Sequence, residues 1–196
     1  MEIKNSKSPA VFIDRDGTLI EEVNFLSRLE DLRFFSYTTE AIRLLKENGF
    51  LIIVVTNQSG IGRGIFTESA MREIHAQIQT DLTDEIDAFY FCPHLPTDGC
   101  ACRKPNTGMI DAALEKFDID LERSWIIGDK AIDVETGFNA GIKTAMVLTG
   151  YGQKDVEKLK RKPDVIAENL IDAVKSITNF KLRITNEEGN FDIRYS

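Results

Sequence analysis

The sequence has little of several features that mark special classes of protein. Only three of its 196 residues are cysteine and five are proline, and it contains neither an internal repeat nor a low-complexity segment. This composition argues against a disulfide scaffold, a collagen-like chain or a disordered one. The apolar run that ends at Val55 is far too short to cross a bilayer, and Met1 to Pro9 lacks the apolar core of a signal peptide. We therefore expect a cytoplasmic protein with no membrane partner.

Positive charge is also scarce. The chain has 24 lysine and arginine residues against 32 aspartate and glutamate residues, a formal net charge of −8. Because nucleic-acid binding relies on a basic surface, the sequence disfavours a nucleic-acid partner. The rest of the composition, 42% hydrophobic and 29% charged over 196 residues, is typical of one soluble globular domain with a single core.

Short apolar runs alternate with longer stretches of helical periodicity. This order predicts an α/β fold, a Rossmann-like three-layer sandwich in which helices cover a mostly parallel sheet. The predicted strands are Ala10–Asp14, Leu51–Thr56, Ala88–Phe91, Trp125–Gly128 and Thr144–Leu148. The predicted helix faces are Met71, Ile74, Ile78 and Leu82; Ile110, Ala113, Leu114 and Phe117; and Leu170, Ala173, Val174 and Ile177.

The spacing of the strands leaves no room for a large cap domain, so loops must select the substrate. We predict one α/β domain over residues 1–178 and a hairpin-like extension over residues 179–196. In that extension apolar residues alternate with polar ones on both sides of the segment Asn186 to Asn190. A lone hairpin is marginal, so it would dock on the domain or on a second subunit. We expect a monomer, with a dimer through the extension as the alternative.

Two aspartates follow the first predicted strand. Asp14 and Asp16 are separated by one residue and are followed by Gly17. Because ligands of open α/β sheets bind beyond the carboxyl ends of the strands, both carboxylates are expected in that crevice. Two ionised carboxylates this close repel each other, and a hard cation such as magnesium offsets the repulsion. The alternative is an acidic connection from strand to turn, since Asp-Gly is common in turns.

A second pair of aspartates follows the strand Trp125–Gly128. Asp129, at the end of the strand, is placed to complete a magnesium site that begins with Asp14. Asp133 falls near the start of the next helix, where a carboxylate either caps the helix or ligates the ion. Both roles of Asp133 stay open.

Small polar and basic residues complete the set. The strand that ends at Thr56 opens into Asn57-Gln58-Ser59-Gly60, whose hydroxyl and backbone N–H groups suit a phosphate oxygen. Arg103 and Lys104 add fixed positive charge to an acidic chain. Taken singly, a polar strand cap and a solvated basic pair explain these segments without any ligand.

All three cysteines lie in one short segment together with a histidine. The residues are Cys92, His94, Cys100 and Cys102, and three thiolates with one imidazole fit a closed tetrahedral zinc site. Because such a site has no place for water, the zinc would be structural and would aim the basic pair that follows it. The alternative is a set of buried thiols beside an unrelated histidine. The other histidine, His75, is predicted to be a surface or packing residue of a helix.

These pieces, in this order at successive strand ends, resemble the haloacid dehalogenase superfamily of phosphatases. The resemblance covers most of the chain. It implies that Asp14 is the nucleophile that forms an aspartyl-phosphate, and that Asp16 is the general acid and then the general base. It also implies that Thr56 and Lys104 hold the transferring phosphoryl group. The implied magnesium ligands are Asp14, the backbone carbonyl of Asp16, and Asp129, with Asp133 behind them.

Within that superfamily the zinc loop is similar to that of one lidless group, the D-glycero-D-manno-heptose 1,7-bisphosphate phosphatases and their histidinol-phosphate phosphatase relatives. Ser59 and Arg63-Gly64 resemble the heptose branch. That branch removes the C7 phosphate of a phosphorylated sugar for lipopolysaccharide and other surface glycans. A histidinol-phosphate phosphatase and a non-catalytic zinc-binding interaction module are the alternatives. The implied substrate contacts are Glu22, Val23, Asn24, Phe25, Asn57, Gln58, Ser59, Arg103 and Lys130, to which we add Arg63 as a ligand of the second phosphate.

Overall fold

The structure is a computed structural model that describes residues 7–188, with side chains described up to residue 179. Its strands are β1 Ser8–Ile13, β2 Leu51–Asn57, β3 Ala88–Cys92, β4 Ile119–Gly128, β5 Lys143–Val147 and β6 Val165–Ala167. Its helices are α1 Thr38–Glu47, α2 Ser59–Gly62, α3 Glu68–Asp81, α4 Gly108–Lys116, α5 Ala131–Ala140, α6 Gly152–Asp155 and α7 Leu170–Glu188. Within these residues, no helix is both long and apolar enough to cross a bilayer.

The six strands form one sheet in the order β3-β2-β1-β4-β5-β6, and every neighbouring pair is parallel. At the end of β1, Ile13 lies opposite Val54 of β2 on one side and Ile127 of β4 on the other. The chain therefore reverses its direction of winding beside β1, and this reversal opens a crevice at the carboxyl ends of the strands. The predicted Rossmann-like α/β fold is confirmed.

Helices cover both faces of the sheet because its central strands point apolar side chains to both sides. On one face, Val11 and Ile13 of β1 join the core formed with α1, α3 and α7. On the other, Phe12 joins the core formed with α4, and Gly137 of α5 packs against Ile126. Each large apolar side chain buried in this way contributes roughly 1.5–3 kcal/mol. The sheet is thus a rigid base whose carboxyl edge carries the polar residues.

The predicted C-terminal hairpin is wrong over residues 179–188, because α7 runs from Leu170 to Glu188 without a break. Ile177, Phe180 and Ile184 are spaced three and four residues apart, so the apolar pattern fits a helix as well as a strand. Extending a formed helix also needs no new nucleus, whereas a hairpin does. Residues 189–196 lie outside the described part of the chain, and the division at residue 178, inside α7, stays a prediction.

Candidate active site

Three buried carboxylates converge at the carboxyl edge of the sheet. Asp14 follows β1 and Asp129 follows β4, and the two strand ends are joined where the Asp14 N–H donates to the carbonyl of Ile127 over 2.9 Å. Asp133 reaches the same point from the first turn of α5. One oxygen from each of the three carboxylates lies within 4.8 Å of the others. Negative charge packed this closely has to be compensated.

Lys104 compensates two of the three carboxylates. Its ammonium Nζ lies 2.8 Å from Asp14 Oδ1 and 2.6 Å from Asp133 Oδ1, and it donates to the carbonyl of Val55 over 2.9 Å. Burial alone would lower the pKa of Lys104, but the charges of Asp133 and Asp14 outweigh burial and raise that pKa. Burial likewise favours a neutral Asp14, yet Lys104 and Lys130 hold the pKa of Asp14 below its ordinary value. Asp14 is therefore an ionised carboxylate.

Asp129 has no such partner. Its Oδ2 accepts a hydrogen bond from the Tyr151 N–H over 2.7 Å, but its Oδ1 is buried and has no hydrogen-bond partner among the described residues. The nearest ammonium, Lys130 Nζ, is 3.9 Å from Oδ1. Burial and the neighbouring Asp14 raise the pKa of Asp129 to about 8. A divalent cation between Asp14 and Asp129 would compensate the negative charge of Asp129. An all-oxygen donor set is the kind that magnesium prefers.

Two glycines leave room for the Asp129 carboxylate. Gly17 has a φ of +83° and Gly150 a φ of +53°, both in the left-handed region that glycine tolerates. A Cβ on Gly17 would lie 2.8 Å from Asp129 Cγ, and one on Gly150 would lie 3.0 Å from the same atom. Any side chain here would therefore displace the carboxylate or fill the space beside it.

A separate network holds Asp16. The Arg15 guanidinium donates from Nη2 to Asp16 Oδ1 over 2.9 Å and from Nε to both carboxylate oxygens over 3.2 Å. On the other side, Gln58 Nε2 lies 2.8 Å from Asp16 Oδ2 and 2.8 Å from Thr56 Oγ1. These contacts fix Asp16 beside the end of β2, next to the Thr56 hydroxyl. The carboxylates of Asp14 and Asp16 thus have different partners, and this difference suits different chemical roles.

A polar cleft of about 230 Å³ opens above these residues. Among the residues that line it are Arg15, Asp16, Gln58 and Phe25. Phe25 is 38% exposed and has a φ of +56°, a strained backbone for a residue with a side chain. The remaining lining residues are Glu22, Val23, Asn24, Leu26, Asn57, Ser59, Gly60, Lys130 and Tyr151.

Comparison with known proteins identifies the group to which this site belongs. Residues 101–173 match the family model described as HAD-hydrolase-like. A D-glycero-D-manno-heptose-1,7-bisphosphate 7-phosphatase of Thermosynechococcus vestitus is 39% identical over 186 residues, which cover 86% of this chain and 95% of the relative. The D-glycero-beta-D-manno-heptose-1,7-bisphosphate 7-phosphatase of Escherichia coli K12 is 34% identical, covering 86% of this chain and 93% of the relative. The chain belongs to this phosphatase family.

A solved structure of the same family agrees with the fold. The D,D-heptose 1,7-bisphosphate phosphatase of B. bronchiseptica, crystallised with magnesium and phosphate, has a TM-score of 0.82 and 28% sequence identity. The match covers 88% of this chain and 99% of that one. Membership of the phosphatase family makes this chain a phosphoric monoester hydrolase of the haloacid dehalogenase superfamily.

Most, but not all, of the predicted substrate residues line the cleft of this phosphatase. Eight of them do: Glu22, Val23, Asn24, Phe25, Asn57, Gln58, Ser59 and Lys130. Arg63 is exposed at the end of α2 and is not a lining residue. Arg103 is not one either, because its guanidinium donates to the carbonyl of His94 over 3.2 Å. The structure thus brings the loop residues together and leaves these two arginines outside.

Asp133 has two structural contacts in this phosphatase. Its Oδ2 accepts a hydrogen bond from the Lys130 N–H over 3.0 Å, which caps α5, and its Oδ1 faces Lys104. Its Oδ2 is therefore engaged by a hydrogen bond to the backbone and its Oδ1 by an ion pair with Lys104. This arrangement favours a role in positioning Lys104 over direct ligation of an ion.

The loop between β3 and α4 gathers the three thiols and the histidine. The Sγ atom of Cys92 is 3.0 Å from that of Cys102 and 3.5 Å from that of Cys100, and His94 Nδ1 is 3.2 Å from Cys102 Sγ. None of the three cysteines forms a disulfide. Ligands of tetrahedral zinc, with Zn–S bonds of about 2.3 Å, stand at roughly this separation. The cluster is compatible with a zinc site.

This loop is joined to the catalytic edge by a paired contact. The Lys104 N–H donates to Asn57 Oδ1 over 3.0 Å, and Asn57 Nδ2 donates to the Lys104 carbonyl over 3.2 Å. Folding of the loop therefore sets where the Lys104 backbone lies relative to the end of β2. The ammonium of Lys104 depends on that position to reach Asp14.

Two residues make contacts near the site that the sequence did not predict. Tyr151 binds Asp129 through its N–H, and its ring lies 4.8 Å from Lys130 Nζ, a cation–π contact. The glycines on both sides of Tyr151 were the only feature that could have marked it. The second is His75, predicted as a surface or packing residue, which is buried and touches Arg15.

Proposed function

We propose that this protein is a magnesium-dependent phosphatase that hydrolyses the C7 phosphate of D-glycero-D-manno-heptose 1,7-bisphosphate through an aspartyl-phosphate on Asp14. The observation that carries the proposal is the paired state of Asp14: a buried, ionised carboxylate held by Lys104 and next to the uncompensated Asp129. Family relatives named for this reaction supply the substrate.

Asp14, the backbone carbonyl of Asp16, and Asp129 would hold magnesium, which when bound neutralises charge on the transferring phosphoryl group. Lys104 Nζ, fixed by its bond to Asp14 Oδ1, supplies a second positive charge beside the same group. The Thr56 hydroxyl can donate to a phosphoryl oxygen, because the Gln58 amide is the donor in the contact that they share. Phosphoryl transfer needs this kind of positioning and charge compensation above all.

The reaction follows as two displacements. A carboxylate oxygen of Asp14 attacks phosphorus, the bond from phosphorus to the C7 oxygen breaks, and Asp16 gives its proton to that oxygen. Asp16, now ionised, takes a proton from water, which attacks the phosphorus of the aspartyl-phosphate. The bond from phosphorus to Asp14 then breaks, releasing inorganic phosphate and restoring the carboxylate. Each step leaves Asp14 and Asp16 ready for the next.

The sugar would lie in the cleft between the loop residues 22–25 and the end of β2. Lys130, paired with Glu22 at 3.3 Å, offers positive charge within this polar cleft. Ser59 lines the same cleft and is, with Arg63-Gly64, one of the features by which the sequence resembles the heptose branch. Because Arg63 lies outside the cleft, the preference for a bisphosphate rests on Ser59 and the family comparison. The role of Arg63 as a ligand of the second phosphate stays a prediction.

Phosphate release from heptose 1,7-bisphosphate and from histidinol phosphate, measured side by side with magnesium and with EDTA, tests the proposal. We expect kcat/KM at least about tenfold higher for the bisphosphate, since a polar group of the cleft left without its partner costs about 1.4 kcal/mol or more. EDTA should abolish both activities. A preference for histidinol phosphate would overturn the substrate assignment while sparing the two displacements, and activity that survives EDTA would overturn the magnesium dependence.

We further propose that Cys92, His94, Cys100 and Cys102 bind one structural zinc ion. A Cys100→Ser variant is expected to lose most of its zinc and to unfold at a lower temperature, because a hydroxyl is a poor ligand for zinc. Metal analysis of the purified protein and thermal unfolding provide the measurement.

The matched control for the zinc ligand is Asp98→Asn in the same loop. Asp98 Oδ2 accepts from the Leu95 N–H over 2.8 Å, a bond that an asparagine oxygen can keep, so zinc content should stay at one ion per chain. Equal zinc content in the two variants would contradict a site of this composition.

A further inference from the structure

His75 lies on α3 and is buried. Its Nε2 is 3.2 Å from Arg15 Nη1, and its ring stacks on Phe89 with the ring centroids 4.6 Å apart. A guanidinium has donors and no acceptor, so Nε2 must be the acceptor and carries no proton. Burial, together with the charges of Arg15 and Arg72, lowers the pKa of His75 to about 3, which keeps the ring neutral. The tautomer is therefore fixed with its proton on Nδ1.

Arg15 is fully buried between His75 and Asp16. Its Nη1 points to His75, while its Nε and Nη2 form the edge that holds the Asp16 carboxylate. Because the guanidinium is a rigid plane, fixing Nη1 on one side fixes the direction of the two donors on the other. A chain of contacts thus runs from α3 through the guanidinium to the carboxylate.

We propose that His75 is a positioning residue: through Arg15 it holds the Asp16 carboxylate in the orientation needed for proton transfer to the leaving oxygen. This inference rests on the proposed function, which gives Asp16 that role. An apolar residue of similar size would satisfy packing against Phe89 equally well. It would leave Arg15 Nη1 without an acceptor in a buried place, and the guanidinium would turn or recruit water to recover the lost bond.

The expected loss is partial, because Gln58 still donates to Asp16 from the other side. Misplacing a general acid affects a reaction in proportion to how much the leaving group needs its proton. A sugar alkoxide needs it strongly, whereas p-nitrophenolate leaves readily without it. A role in orienting Asp16 therefore predicts a dependence on the leaving group, and a role in packing alone does not.

The test measures kcat/KM, which reports the steps up to the first bond cleavage, for alkyl phosphates and p-nitrophenyl phosphate at saturating magnesium. For His75→Phe we expect kcat/KM to fall about tenfold more with the alkyl phosphate than with p-nitrophenyl phosphate. His75→Gln, whose amide oxygen can accept from Arg15, should restore most of the loss. Equal losses on the two substrates, no loss at all, or failure of the glutamine variant to rescue would each overturn the proposal.

Three further variants keep the result interpretable. Ile78→Val, one turn further along α3 in the core, should lower the unfolding temperature by roughly 2–4 °C without any leaving-group dependence. Arg15→Lys tests the same chain of contacts if His75→Phe does not fold, and it should show the same leaving-group dependence. Asp16→Asn should show it most strongly. If Asp16→Asn loses activity equally on both substrates, the proposed role of Asp16 fails, whatever His75 does.

Discussion

The Asp14→Asn substitution is expected to lower phosphate release by at least about 10³-fold while the protein stays folded. An amide has nearly the size of the carboxylate but does not attack phosphorus, so no aspartyl-phosphate forms. Its carbonyl oxygen can still accept the hydrogen bond that Lys104 Nζ donates over 2.8 Å. The substitution also removes a charge that raises the pKa of Asp129. The contribution of the ionised Asp14 is lost while the repulsion on Asp129 is relieved, so we expect at most a small loss of stability.

Phosphate release at saturating magnesium, thermal unfolding and zinc content together check this expectation. Asp118→Asn is the matched control. The Asp118 side chain is 59% exposed, its Oδ1 lies 3.9 Å from Lys7 Nζ, and it has no part in the proposed reaction. It should keep full activity. Turnover of Asp14→Asn within tenfold of the unsubstituted enzyme would remove Asp14 as the nucleophile, and so would trapping of phosphate on another residue.

The central strands could be predicted closely because a parallel sheet buries both faces, which makes its strands continuous apolar runs. Leu51–Thr56 was predicted and Leu51–Asn57 is found. The outer parts of the sheet have no such pattern. β4 begins at Ile119, before its predicted start; the sequence did not indicate its first half because that half carries charged residues. β6 is a strand of only three residues, which the sequence did not indicate either.

The candidate catalytic residues could be predicted because each lies at or directly after the end of a strand that the sequence reveals, and parallel strands place their carboxyl ends side by side. Asp14, Thr56 and Asp129 are of this kind. Contacts between distant segments are different. His75 and Arg15 are separated by 60 positions, and only the packing of α3 beside the sheet brings the imidazole to the guanidinium. Helical periodicity alone gives a buried histidine on α3 no role beyond packing.

The second large effect is expected for Lys104→Met. Methionine keeps most of the volume of the side chain but removes the ammonium from between Asp14 and Asp133, whose side chains are 6% and 1% exposed. Removing one partner from a buried ion pair costs about 3–5 kcal/mol of the free energy of unfolding, because an uncompensated charge stays behind. Chemical denaturation at pH 7 measures this cost. Activity should be lost as well, since the variant has no ammonium at this position to contact the phosphoryl group.

Lys46→Met is the control for this experiment. Lys46 Nζ lies 3.1 Å from Asp87 Oδ2, but the two side chains are 30% and 21% exposed, so water shares in the compensation. Its loss should cost less than about 1 kcal/mol. Equal losses in the free energy of unfolding for Lys104→Met and Lys46→Met would contradict the conclusion that Lys104 compensates the charges of the buried carboxylates.

The pH dependence of the Lys104→Met deficit separates charge from packing. In the unsubstituted protein Lys104 lowers the pKa of Asp14 below 3.8, so Asp14 contributes stability that is present above that pH and lost as pH falls through its folded-state pKa. Without Lys104, burial raises the pKa of Asp14, and the variant loses stability as pH rises. The difference between the two proteins should therefore be largest near neutral pH and shrink toward pH 4. Magnesium should also shrink it at pH 7, because a cation at Asp14 replaces part of the missing charge. A deficit that neither acid nor magnesium changes would instead be a packing defect.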